Sequence, residues 1–190
     1  MTADGRACIE VPMTNPAIPR DVVHAYAEAC SDEGDAFQPV ANRLIKGQRR
    51  LARFFEDNAE PLGVLNTQVA IYMFSVCLRV FDRVGGRMRK VTGADIEAAQ
   101  QTVQAHLATI MPADDGLGAR AKSIDTRAQP HLLDEVIWAL YERDDEEMKE
   151  AEQTLDPRVS AMVYILLWTA VEALDGCWKA PAAMPEVPAA

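Results

Sequence analysis

The sequence has few cysteines and histidines, and they are not arranged for metal or redox chemistry. None of the four cysteines forms the C-x-x-C pair that zinc knuckles and thiol redox sites need, and the three histidines form no H-E-x-x-H motif. The cysteines are Cys8, Cys30, Cys77 and Cys177. We expect free thiols in a reducing compartment, which predicts a cytoplasmic protein without a bound metal.

Signatures of nucleophilic catalysis and of nucleotide binding are also missing. No serine lies in a G-x-S-x-G turn, and the Gly-x-Gly sequence at 116–118 lacks both a preceding strand and the rest of a dinucleotide fingerprint. We therefore expect no catalytic nucleophile, no cofactor and, more generally, a non-catalytic protein.

The sequence also lacks a continuous apolar leader near the N-terminus. Two stretches, 62–78 and 159–171, are almost free of charge. The first contains several polar side chains, and the second falls short of the roughly 20 residues that a bilayer requires. We expect buried helices and no membrane partner.

What the chain does contain is 49% apolar residues within 190 residues, enough for one domain with a real core. Its breaks are caps and prolines rather than the alternating runs of strands. We predict an all-α fold, a single bundle of about six helices over residues 20–179, with the two uncharged helices at its centre. Flexible arms over 1–19 and 180–190 flank it, because both are proline-rich and aperiodic. The predicted helices cover 20–31, 35–58, 62–84 and 92–112 and begin again near 130 and 156, with the longest loop at 113–128.

Charge is strongly segregated along the chain. The formal net charge is -10, yet residues 38–90 hold ten of the nineteen basic residues and only four acids, about +6 locally against about −16 elsewhere. Eight of these cations fall into two helical rows, which are Arg43, Lys46, Arg50 and Arg53, followed by Arg79, Arg83, Arg87 and Lys90. An antiparallel hairpin of the two predicted helices would merge the rows into one patch.

The cations of the first row lie opposite an apolar face of the predicted helix 35–58, so that its exposed side is purely cationic. Asp35 and Gln38 resemble a capping box at the start of this helix. Like charges three or four residues apart destabilise a helix slightly, whereas mixed signs stabilise it. The rows therefore indicate one of two roles: binding of an acidic protein or other anionic partner, or pairing with the acidic stretch 142–152.

Nucleic acid is a less favoured partner. Aromatic residues make up 6% of the chain and do not interleave with the basic rows, as single-strand binding requires. We therefore predict a non-catalytic helical interaction or assembly protein that contacts its partner through the Arg-rich face.

A helical-bundle metalloprotein is one alternative. His24 with Glu28 and His131 with Glu135 each have the four-residue offset that puts both side chains on one helix face. Two such pairs facing each other would hold one ion. The order differs from the Glu-x-x-His pattern of di-iron bundles, so surface histidines are the simpler interpretation.

A small-molecule-binding enzyme with a site between helices is the other alternative. The two uncharged helices carry more apolar surface than six helices easily cover, which suggests a ligand cavity or a homo-oligomer interface, although a central pair of core helices is the simpler interpretation. Polar or partly polar residues within the first stretch are the candidates for lining such a pocket: Asn66, Gln68, Tyr72 and Ser75.

Overall fold

Eight α-helices and a two-stranded ribbon build the part of the chain described by a computed structural model, residues 15–142 and 156–187. The all-α prediction is confirmed. The helices are α1 Arg20–Glu33, α2 Phe37–Gly47, α3 Arg49–Asp57, α4 Gly63–Val84, α5 Gly93–Ile110, α6 Leu117–Lys122, α7 Pro130–Ile137 and α8 Pro157–Cys177. Short 3₁₀ turns occupy Gly34–Ala36 and Glu60–Leu62, and a π-helical turn, Trp138–Glu142, extends α7. Strands β1 Arg87–Met88 and β2 Trp178–Lys179 pair antiparallel.

Helix α8 is the centre of the core. Tyr164, Leu167 and Trp168 have no exposed surface, and α8 packs against α4, α5 and α7. Burial on nearly every side explains why this helix carries so little charge. Helix α4 differs, because its first half leaves Val64 80% and Leu65 50% exposed.

Two stretches are long and apolar enough to cross a membrane when judged by length and composition alone, Glu60–Val84 and Pro157–Cys177. The most apolar window of α8 is 67% buried inside the fold, and that of the first stretch is 44% buried. Helix α8 thus has the burial of a core helix, whereas α4 keeps part of its apolar surface outside the fold.

Local capping signals position several helix ends as predicted. Thr92 and Asp95 form a capping box at the start of α5, with the Thr92 amide donating to Asp95 Oδ2 at 2.8 Å. Arg89 donates to both oxygens of Asp95, which holds the pKa of that carboxyl well below its usual range. Asp156 caps α8 by accepting from the Arg158 amide at 2.8 Å.

The predicted continuous helix over 35–58 is wrong, because it is broken at Gln48. The Gln48 side chain is buried, and its amide donates to the Arg89 carbonyl at 3.2 Å and accepts from the Val91 amide at 2.9 Å. These two hydrogen bonds hold residues 89–91 against the junction between α2 and α3. The predicted cap is also wrong: Asp35 lies in the 3₁₀ turn, and no side chain caps α2.

The predicted loop over 113–128 contains the short helix α6. Leu117 and Ala121 are fully buried against neighbouring helices, and Arg120 Nε donates to the Ile110 carbonyl at 2.8 Å. A Cβ atom at Gly118 would stand 2.8 Å from the Ile137 side chain, so α6 and α7 pack too closely there for any larger residue. Tertiary packing creates this helix where local periodicity is absent.

The segments flanking residues 20–179 are partly packed. Asn15 Nδ2 donates to the carbonyls of Asp175 and Trp178, both at 2.8 Å, and Ile18 is buried. The Ala180 amide donates to Asn15 Oδ1 at 3.3 Å. Packing therefore begins ahead of residue 20, while the rest of the predicted arms, 1–14 and 188–190, lies outside the described residues.

The described cysteines are free and buried, as expected. Burial raises the pKa of Cys30 and of Cys177 to about 11, and that of Cys77 to about 12. Neutral thiols are poor nucleophiles and poor metal ligands, so these residues act as small core side chains. Cys8 lies outside the described residues.

Candidate functional site

The two predicted cationic rows do meet, because α2 packs alongside α4. Arg43 from α2 and Arg79 from α4 both bind the carboxylate of Asp82, at 3.3 and 3.2 Å. The expected antiparallel hairpin is nevertheless wrong: α2 and α4 run in the same direction, because Phe37 packs on Tyr72 and Arg43 contacts Asp82 further along both helices.

The part of the patch nearest α1 is neutralised internally. Glu33, at the end of α1, lies 3.0 Å from Arg83 and 3.6 Å from Arg79, whose side chain is only 15% exposed. The Arg83 guanidinium also lies 5.8 Å from the centre of the Tyr26 ring. These cations hold α1, α2 and α4 together.

The acids that neutralise these cations are not the ones expected. They come from α1 and α4, whereas Glu142, the first residue of the predicted acidic stretch, binds Lys122 at 2.6 Å. The remainder of that stretch, residues 143–152, lies outside the described residues. Internal pairing thus holds for Arg43, Arg79 and Arg83.

The remaining cations are exposed. Arg53 lies 3.8 Å from Asp57, but both side chains are about two-thirds exposed, and such a pair contributes little stability. The others form no ion pair with any residue of the described ranges. We call Arg53 and these unpaired cations together the outer cationic surface. Its members are Lys46, Arg49, Arg50, Arg53, Arg87, Lys90 and Lys179.

Two structural features assemble the outer cationic surface. The Gln48 hydrogen bonds hold residues 89–91 against the α2–α3 junction, so that Lys90 and Arg43 line one groove of about 410 Å³. The ribbon places Lys179 directly opposite Arg87. Lys179 lies outside the two rows predicted from the sequence, because its pairing with Arg87 joins positions far apart along the chain.

The ribbon pair is electrostatically unfavourable. Like charges directly opposite each other in an antiparallel pair are destabilising, and Arg87 and Lys179 stand in that relation. The stability of the ribbon therefore does not explain why cations stand at these two positions.

The four metal-ligand candidates are brought to one interface, because α1 packs against α7. His24 Nδ1 lies 3.3 Å from Glu135 Oε1, which confirms that the two pairs face each other. Within the described residues, 15–142 and 156–187, however, no three His, Cys, Asp or Glu side chains are close enough together to hold a metal ion. His24 and Glu135 form a two-residue contact, and Glu28 and His131 do not complete a ligand set around it.

Of the predicted pocket residues, Tyr72 lines a cavity in the part of the chain that the structure describes. Asn66 donates to the Leu62 carbonyl at 2.8 Å and Ser75 to the Tyr72 carbonyl at 2.6 Å, so both are satisfied by the backbone of their own segment. Gln68 is exposed. The cavity at Tyr72 lies between α1, α4 and α7, and we call it the α1–α4–α7 cavity.

Two half-buried carboxylates on α8 have raised pKa values but a structural role. Glu172 Oε1 accepts from the Trp168 indole at 2.8 Å and from the Ala128 amide at 2.9 Å, and Asp175 accepts from Gln129 at 2.7 Å. Burial raises the pKa of both carboxyls. Their hydrogen bonds fasten the turn before α7 to the central helix.

These features define an all-α protein whose described surface carries cations around the α2–α3 junction and a separate, largely apolar cavity beside α7. No protein-family model, no curated protein and no solved structure matches the chain. Its function must be argued from its own geometry.

Proposed function

We propose that this is a non-catalytic interaction protein whose outer cationic surface docks an acidic segment of a partner protein. The observation that carries the proposal is the group of exposed Lys and Arg side chains of this surface, which form no ion pair with an acid in the described ranges except for the exposed contact of Arg53 with Asp57. Retaining like charges at close spacing costs stability, and a complementary anionic surface would remove that cost on binding.

The chemistry of the surface favours carboxylates as ligands. Four of its seven cations are arginines, whose planar guanidinium groups donate two parallel hydrogen bonds to a carboxylate. The chain as a whole carries -10, so it repels distant anions, and attraction acts only within about 10 Å of the surface at 0.1 M salt. An acidic partner would therefore bind by close docking.

Single-stranded nucleic acid fits this surface less well. Binders of that class stack bases on aromatic side chains beside their cations. The exposed aromatic residues of the described ranges, Tyr72 and Trp138, line the α1–α4–α7 cavity instead.

The test is a binding titration with a fluorescently labelled poly-glutamate peptide. We expect Arg50→Glu to weaken binding about five- to tenfold, because it reverses a charge within the surface. Arg158→Glu is the matched control, since Arg158 is exposed on the first turn of α8 and the helix separates it from the ribbon by about 30 Å. The control should bind like the native chain.

Two outcomes contradict the proposal. Equal losses in the two variants would show that the peptide responds only to net charge. A marked fall in the melting temperature of Arg50→Glu would show that Arg50 is paired within the folded chain, because a truly free surface charge leaves stability within about 0.5 kcal/mol.

A further inference from the structure

The α1–α4–α7 cavity has an apolar floor and a volume of about 250 Å³. Met73 and Val76 of α4 and Leu132 and Val136 of α7 line it. An apolar protein cavity of about 150 Å³ accommodates benzene. This cavity therefore has room for one aromatic ring with a short aliphatic arm.

Two aromatic side chains stand at the cavity while remaining exposed, Tyr72 by 44% and Trp138 by 42%. The Tyr72 ring is held edge-on against Phe37, with 6.1 Å between ring centres, and its hydroxyl lies 3.5 Å from Ser31 Oγ. Trp138 opens the π-helical turn after α7, a geometry often found at functional sites. The Tyr72 ring is thus positioned before any ligand binds, and Trp138 stands beside it at the cavity.

Carboxylates give the same cavity a negative rim. Glu28 of α1 and Glu135 of α7 line it, and among the described lining residues His24 is the one basic side chain, which already contacts Glu135 at 3.3 Å. Aromatic faces together with carboxylates are the surroundings that recognise an organic ammonium group. A ligand carboxylate or phosphate would meet repulsion here.

The described residues that line the cavity include no reactive nucleophile. Cys77 lies at its floor, and burial raises the pKa of its thiol to about 12, so the thiol is neutral at physiological pH. The site is therefore suited to binding a ligand without covalent chemistry.

We propose that the α1–α4–α7 cavity binds a hydrophobic organic cation, an aromatic ring joined by a short arm to an amine. The ring lies on the apolar floor, and the ammonium group lies between the rim carboxylates and the faces of Tyr72 and Trp138. This site shares no residue with the outer cationic surface and is independent of the function proposed for it.

Calorimetric titration with three ligands of one shape tests the proposal: 2-phenylethylamine, 2-phenylethanol and phenylacetate. We expect the amine to bind about tenfold more tightly than the neutral alcohol, and phenylacetate to bind most weakly. Equal affinity for amine and alcohol, tighter binding of phenylacetate, or no binding of the amine would each overturn the proposal.

Carboxylate variants locate the ammonium group. Glu28→Gln and Glu135→Gln should each weaken amine binding about three- to fivefold and leave alcohol binding unchanged. Glu97→Gln, an exposed position on α5 away from the cavity, is the matched control and should change neither. Because Glu28 is exposed, its variant tests the site even if Glu135→Gln lowers the melting temperature. Unchanged amine affinity in Glu28→Gln and Glu135→Gln would overturn the assignment.

Discussion

At the scale of single residues, Gln129 shows how one side chain organises a junction. Its backbone has φ 46, in the left-handed region that costs a non-glycine residue about 1–3 kcal/mol. Its amide accepts from Ile18 N at 2.8 Å and donates to the Pro16 carbonyl and to Asp175 Oδ1. Three hydrogen bonds offset the strain and join the start of the described chain to α8.

Glu172 belongs to the same junction and makes stability depend on pH. Burial raises the pKa of its carboxyl. The Glu172 carboxyl therefore stays protonated to a higher pH in the folded protein than in the unfolded chain, where glutamate has a pKa of about 4.3. This carboxyl therefore contributes most stability below about pH 4, and that contribution is lost as the pH rises through the folded pKa.

The Glu172→Gln variant should remove this dependence while keeping an oxygen to accept from Ala128 and Trp168. We expect it to be at least as stable as the native chain at pH 7, and to lose that advantage towards pH 4. Urea denaturation across this range measures the difference, with Glu97→Gln as the exposed control. If the free energy of unfolding varied with pH in the same way for Glu172→Gln and the native chain, burial would not raise the pKa of Glu172, and its carboxyl would be hydrated in solution.

At the scale of elements, the break between α2 and α3 depends on Gln48. We expect Gln48→Ala to lower the free energy of unfolding by about 2 kcal/mol, because the Val91 amide and the Arg89 carbonyl both lose their partner. It should also weaken poly-glutamate binding, since Lys90 is then no longer held beside the junction. Chemical denaturation and the peptide titration measure the two effects.

Gln38→Ala is the control for that experiment, because Gln38 is an exposed glutamine on α2 with no side-chain cap to lose. It should leave both measurements unchanged. If Gln48→Ala were as stable as the native chain, the break between α2 and α3 would not depend on the hydrogen bonds of the Gln48 side chain.

Elements with local signals were predictable, and elements made by distant contacts were not. The Thr92 and Asp156 caps contact residues within three positions along the chain. The low charge of the α8 sequence indicates that the helix is buried. The helix break at Gln48, the helix α6 and the placement of Trp138 each require a partner far along the chain. The same holds for Lys179, which joins the outer cationic surface only through the ribbon.

At the scale of the whole molecule, the cationic rows expected from the sequence separate into two groups with different roles. Arg43, Arg79 and Arg83 pair with acids of α1 and α4, and the others face outward around the α2–α3 junction. The pattern of charges along the chain revealed the rows. Only three-dimensional packing could divide them, because Glu33 and Asp82 reach the patch from different helices.

The two proposed sites should act independently. They share no residue, and their ligands carry opposite charge, so a ligand bound at one site makes no differential contact at the other. We expect saturating 2-phenylethylamine to change the poly-glutamate affinity less than twofold, measured by titration at fixed salt. A larger change would show that α4, which borders both regions, couples them.

The hydrogen bond between Asn15 and Ala180 brings the first described residue beside the segment that follows β2. Chains whose ends are adjacent tolerate circular permutation. A short linker between these two positions would turn the described fold into a ring that can be reopened at an exposed turn elsewhere. The order in which the helices are synthesised would then change while their contacts stay the same.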